Sequence, residues 1–256
     1  MIQVASFLEE IIKMAKNNIN YIESFDLNPG RIIANKYEII EKLGGGWEGE
    51  VYKIIERDMG IIRAAKLFYP QRNLRDKTAR LYAKKLHLLR HCPIIIQYHN
   101  REKISFRKLP ITVLISEYVE GEKLSDFLCR QKGKRLQAFQ AIHLLHALTT
   151  GMEQIHSARE YHGDLHTDNI IINRYGLGFD LKVIDFYHWT ASKRENMQND
   201  ILDMIRIFYD VLGGAKYYPN QPDNIKYICC GLKKGLILKK FPSTARLREY
   251  LETMIW

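Results

Sequence analysis

Long apolar runs are missing from this chain of 256 residues, and no stretch approaches the roughly 20 residues that a bilayer-spanning helix needs. Residues 1–10 carry no basic start ahead of an apolar core, so no secretory leader is expected and a cytoplasmic location is the default. Cysteine is scarce, at four residues. Cys92, Cys129, Cys229 and Cys230 lack the spacing of metal ligands, and an adjacent pair makes a poor disulfide. Four thiols in a reducing compartment are expected. Acids are outnumbered, 29 against 39 Lys and Arg, which gives a net charge of +10. The basic residues are scattered and no aromatic–basic binding motif accompanies them, so a solvated basic surface is expected rather than a nucleic-acid site. Internal repeats and low-complexity segments are absent as well. The most informative gap is local: nothing acidic occurs between Asp76 and Glu102.

What is present centres on His162-Gly163-Asp164-Leu165-His166-Thr167-Asp168-Asn169, followed by the apolar run Ile170, Ile171 and Ile172. Sixteen residues past Asn169, a second apolar run (Leu181, Val183, Ile184) ends on Asp185-Phe186. Both runs read as short buried strands that deliver oxygen atoms to their ends. Asp164 could take a proton from an attacking hydroxyl, and Asn169 and Asp185 offer the hard oxygens that Mg²⁺ prefers. Phosphoryl transfer requires such a set.

With these two motifs the chain resembles the protein-kinase superfamily. His162-x-Asp164-Leu165 with Asn169 is similar to its catalytic loop, and Asp185-Phe186 to its metal-binding tripeptide. Upstream, Gly44, Gly46, Gly49 and Val51 fit GxGxxGxV between a strand from Tyr37 to Leu43 and another from Glu50 to Ile55. A strand, not a helix, follows the turn, so a hairpin over phosphates fits better than a dinucleotide fold. The resemblance implies ATP and Mg²⁺ as cofactors. It implies a nucleotide site made of Leu43, Gly44, Gly45, Gly46, Trp47, Glu48, Gly49, Glu50, Val51, Ala64, Lys66, Glu117, Val119 and Ile171. Lys66, in the apolar strand Ile61–Leu67, falls on the α/β-phosphates; Ala64 lies beneath the adenine; the backbone of Glu117 and Val119 meets its edge. Asp164, Lys66 and Asn169 are the implied catalytic residues, and Asn169 and Asp185 the implied metal ligands.

Departures from the family pattern are as telling. A helix is expected over residues 75–90, but the Glu that normally pairs with the strand lysine is absent: Ala83, or its neighbours Tyr82 and Lys84, stands there. Glu48 and Glu102 are the acids considered as substitutes. Gly163 replaces the Arg that often precedes the loop Asp, and His166 a Lys. His143, His146 and His156 lie on a helix expected over residues 139–156 and read as core or surface groups rather than ligands. The stretch from Asp200 to Gly214 resembles the family's central helix, with Asp200 at its buried start, and one or two helices are expected over residues 217–256. Only residues 186–199 separate Asp185 from that helix, too few for a usual activation segment.

The expected fold is α+β and two-lobed, protein-kinase-like. It has a small antiparallel β-sheet lobe (residues 31–117) and a compact, mostly helical lobe (residues 118–256), preceded by a helical extension (residues 1–30). Val4, Leu8, Ile11, Ile12, Ala15, Ile19 and Ile22 have helical spacing in that extension, which suits packing on the small lobe or contact with a partner or a second copy. The resemblance is to a minimal bacterial Hanks-type serine/threonine kinase acting on protein hydroxyls. A small-alcohol kinase of the aminoglycoside or choline type, and a nucleotide-binding pseudokinase scaffold, are the alternatives.

Overall fold

The computed structural model describes residues 21–176, 178–188 and 191–255. They form two compact units: residues 21–88 with 97–118, and residues 89–96 with 119–255.

The first unit is built on a six-stranded antiparallel sheet of order β1-β2-β3-β4-β6-β5. Its strands are β1 (Ile32–Ile33), β2 (Tyr37–Gly45), β3 (Gly49–Glu56), β4 (Ile62–Phe68), β5 (Tyr98–Phe106) and β6 (Leu109–Glu117). Alternation decides the faces. Tyr52 and Ile54 on β3, Ala65 and Leu67 on β4, and Ile111, Val113 and Ile115 on β6 point to one side and close a core with Ile39, Phe106 and Tyr69. Ile22, Phe25 and Leu27 complete that core. Residues 1–20, which carry most of the expected N-terminal helix, lie outside the described residues. Tyr21–Phe25 are not helical: Ile22, from the expected stripe, and Phe25 are buried from a chain without regular structure. Each such burial is worth about 1.5–3 kcal/mol. Helix α1 (Lys77–Leu88) is the helix expected over residues 75–90, and it buries Ala79, Tyr82 and Leu86.

The second unit is mostly helical among the described residues. Helix α2 (Leu124–Arg130) follows strand β7 (Glu122–Lys123), and α3 (Ala138–Ser157) starts at a capping box in which Gln137 and Gln140 satisfy each other's backbone N–H. Strands β8 (Ile170–Tyr175) and β9 (Gly178–Val183) form a hairpin beside β7. Helix α4 runs Lys193–Val211, with the Ser192 hydroxyl accepting from Glu195 N–H at 3.2 Å. Asp200 therefore sits two turns inside the helix rather than at its start. Three helices follow instead of one or two: α5 (Asp223–Cys229), α6 (Lys234–Lys240) and α7 (Thr244–Thr253). The excess over expectation comes from two short helices joined by a tight turn at Cys230–Leu232, a break that a single helical stripe does not reveal. No described helix is long and apolar enough to cross a membrane. All four cysteines are free thiols.

Candidate active site

In the sheet unit the glycine turn is a hairpin. Gly45 pairs with Glu50 across it, and Gly46 N–H donates to Gly49 O at 2.9 Å. Gly49 is the position that only glycine fits, because a Cβ there would come within 1.9 Å of the Leu67 carbonyl oxygen. The turn is then fastened to the chain after β4: Tyr69 N–H donates to Glu48 O at 2.9 Å, and the Arg72 guanidinium stacks 3.0 Å from the centre of the Trp47 ring. Leu43 is partly exposed on β2.

Val51 pairs with Lys66, so both project from the face opposite the Tyr52–Leu67 core, as does Ala64. Lys66 Nζ bonds Glu48 Oε2 at 2.8 Å, and the ring centres of Tyr82 and Phe68 lie 4.6 and 5.4 Å away. Of the two acids considered, Glu48 reaches the lysine. Glu102 bonds Lys36 instead, at 3.1 Å. Tyr82, not Ala83, is the α1 residue whose side chain faces Lys66.

Glu50 takes a different place from the other turn residues. Its side chain points to the core face and is 2% exposed. It accepts from Ser24 Oγ and Lys42 Nζ, both at 2.8 Å, from Tyr69 OH at 3.1 Å and from Tyr52 OH. Burial pushes the Glu50 carboxyl up, but the bonds from Lys42, Tyr52 and Ser24 outweigh it and hold the group below the usual range. Only the backbone of Glu50 lies with the turn; its carboxylate ties the N-terminal segment to the hairpin. At Glu117 the N–H donates to Gln97 O at 2.8 Å, and the carbonyl oxygen accepts from Ser116 Oγ at 3.4 Å.

In the helical unit the loop from Tyr161 to Asn169 is pinned from below. Asp200, fully buried, accepts from His162 N–H at 2.7 Å and Gly163 N–H at 2.9 Å, with His156 Nε2 at 3.0 Å. His162 is buried too. Its Nε2 lies 2.8 Å from Ile184 O and its Nδ1 accepts from Asp164 N–H at 3.2 Å, so the proton is on Nε2. One imidazole thereby joins the loop to the residue before Asp185. Tyr187 N–H returns to His162 O at 3.0 Å, and Ile184 N–H to Asn169 O at 3.0 Å. Asp185 stands at the turn with φ 59°.

Asn169 spends its amide nitrogen on Asp164 O at 2.9 Å, with His166 Nε2 also at 2.9 Å and Asp164 Oδ2 at 3.4 Å. Its Oδ1 is what remains for a cation. Together with the Asp185 carboxylate this is an oxygen donor set that fits Mg²⁺. The Asp164 carboxylate is half exposed, as a group that must meet a substrate should be. Ile171 is half-buried on β8. Of the three histidines on α3, His156 bonds Asp200, His146 bonds Glu252 at 3.1 Å, and His143 packs edge-on to Phe139. No metal-binding cluster of His, Cys, Asp and Glu occurs among the described residues.

A family model of the protein kinase domain matches residues 37–220. The chain belongs to the protein kinase family. It is an enzyme of that family, with its two-unit α+β fold. Among solved structures it is similar to the PknI kinase domain of Mycobacterium tuberculosis, at 18% identity over 88% of this chain and 96% of that one, with a TM-score of 0.63. A cysteine-to-alanine mutant of the same domain matches over 90% and 98% at 16% identity and a TM-score of 0.64. At such identities the likeness is one of fold.

Two groups in this kinase escape a reading of the sequence: the Tyr82 ring on Lys66 and the buried Glu50 centre. Neither has a motif. Both follow from the face on which a side chain emerges, set by strand alternation at Glu50 and by helix phase at Tyr82.

Proposed function

We propose that this kinase transfers phosphate from ATP, with Mg²⁺, to serine and threonine hydroxyls of proteins. The carrying observation is the braced catalytic loop. Asp164 is half exposed, yet its backbone N–H, its carbonyl and one carboxylate oxygen all have partners in His162 and Asn169. A carboxylate held so can take the proton of an attacking hydroxyl without first being ordered. Lys66 offers ammonium N–H groups to phosphate oxygens, and the glycine turn offers backbone N–H groups. By the family resemblance, Ala64, Val51, Leu43 and Ile171 are the apolar residues for the base, and the backbone of Glu117 and Val119 the groups for its edge. Asn169 Oδ1 and Asp185 would hold the magnesium ion, which neutralises charge on the phosphates when bound. The serine/threonine assignment rests on the resemblance to minimal bacterial kinases. A cytoplasmic setting suits four free thiols.

One observation favours a second acceptor class. Ser192 caps α4 only seven residues beyond Asp185, which leaves little chain for a peptide platform and suits a small alcohol. Labelled ATP given to the purified chain alone, to generic proteins and to a pool of small alcohols decides between them. We expect label on protein Ser and Thr, reduced about 10²–10⁴-fold by Asp164→Asn with ATP binding intact. Label confined to the alcohol pool would replace the first reading by the second. Asp164→Asn at the wild-type rate would remove Asp164 from the chemistry.

A further inference from the structure

Helix α1 contains no Asp or Glu, so it can offer Lys66 no acid. It offers a ring instead. Tyr82 is 6% exposed and packed edge-to-face with Phe68, ring centres 6.4 Å apart, so its face is held in place against the lysine ammonium 4.6 Å away. A ring face attracts a cation through its quadrupole and uses none of the three ammonium N–H groups. A carboxylate uses at least one. Glu48 does so here, at 2.8 Å, in a pair whose side chains are only 12% and 20% exposed.

Tyr82 and Glu48 differ in origin, and the difference has a consequence. Tyr82 comes from α1 and does not depend on the nucleotide. Glu48 comes from the glycine turn, which the proposed function lays over the phosphates. Its carboxylate oxygen therefore stands as a phosphate oxygen would, accepting from the same ammonium. Bringing phosphate up to Lys66 sets two anions against each other at one cation, and like charges at close range repel.

We infer that Tyr82 is the positioning residue for Lys66 in place of a helix carboxylate, and that Glu48 is a counter-ion of Lys66 which nucleotide phosphates displace. The inference rests on ATP as the phosphate donor. Because the Glu48 contact is lost on binding, it subtracts from nucleotide affinity: only an interaction that differs between the two states can shift the equilibrium. The Tyr82 contact persists, and keeps the ammonium aimed after Glu48 has left.

The test has two arms. In the first, Mg²⁺–ATP binding is measured calorimetrically for wild type, Lys66→Met, Glu48→Gln and the double variant. Glu48→Gln should bind ATP about two- to fivefold more tightly, the range of a partly exposed ion pair, and the gain should vanish in the Lys66→Met background. Unchanged or weaker binding by Glu48→Gln would show that the carboxylate stays on Lys66 in the complex, and would overturn its role as a displaced counter-ion. In the second arm, Tyr82→Phe is compared with phenylalanines at position 82 carrying one, three and five fluorines, which drain the ring face of negative charge at nearly constant shape. Tyr82→Phe, which keeps the ring face, sets the baseline of the series, and kcat at saturating ATP should fall stepwise from it by about tenfold in total. That fall should not track melting temperature. A flat series overturns the positioning role. A wild-type chain that binds no ATP would bring down the proposed function and this inference together; binding with both arms flat would bring down this inference alone.

Discussion

Burial pushes the Asp203 carboxyl up to about 7, and the negative charges of Asp200 and Asp164 add to the shift. The sign of its effect on stability follows from proton counting. In the unfolded chain the group releases its proton near its ordinary value of 3.8. Between that pH and about 7 the folded protein holds a proton that the unfolded chain has given up, so stability falls as pH rises through this window and levels off above it. Asp203→Asn has no proton to lose. The variant should be more stable than wild type by about 1–2 kcal/mol at pH 8, with the advantage shrinking towards pH 4. Melting temperatures of both proteins across that range check this, and parallel curves would show that the side chain is not held away from water. Nothing in the sequence marks Asp203, because its shift comes from where α4 puts it. The roles proposed for Asp164, Asn169 and Asp185, by contrast, are read from residue type and spacing, since the chemistry they suit tolerates few substitutes.

At the scale of elements, the loop from Tyr161 to Asn169 explains one departure from the family pattern. Gly163 has φ 87°, and a Cβ there would lie 2.7 Å from the Tyr187 carbonyl oxygen and 3.0 Å from the Tyr161 ring. An Arg at this position does not fit the present backbone. Gly163→Ala should cost about 1–3 kcal/mol of stability through backbone strain. It should also slow phosphate transfer, because the displaced Tyr187 follows Asp185 closely in the chain; a variant with wild-type melting and turnover would show that the loop has room to move. The strands around the motifs are readable from β-branched runs, and the Tyr37–Leu43 and Glu50–Ile55 stretches fall within β2 and β3. Weighting Asp200 places the start of α4 too late. The better signal is Ser192-Lys193-Arg194-Glu195, an S-x-x-E capping pattern that sets the true first turn. Strand β5 carries a regular alternation of half-buried and exposed residues. Its charged content, Arg101, Glu102 and Lys103, hides that alternation.

For the molecule as a whole, the N-terminal boundary of the sheet unit matters more than the helical spacing of residues 4–22 suggests. Ile22, Phe25 and Leu27 lie in the core beneath the sheet. Phe25 stacks on Tyr69 with ring centres 5.3 Å apart and meets Phe106 edge-on at the same separation. Ser24 Oγ and Asp26 N–H bond the Glu50 carboxylate, and Leu27 N–H bonds Tyr52 OH at 3.1 Å. This short segment thus supplies apolar area to the core and donors to a buried acid at the root of the glycine turn. Removing residues 1–27 rather than 1–20 takes away three buried apolar side chains, a loss of about 5 kcal/mol or more. It also leaves Glu50 dependent on Lys42 and the two tyrosines. The longer truncation should melt well below the shorter one or fail to fold, and its glycine turn should exchange amide hydrogens faster than that of the shorter one. Equal melting and equal exchange at Gly44–Val51 would mean that the segment rests on the sheet without supporting it.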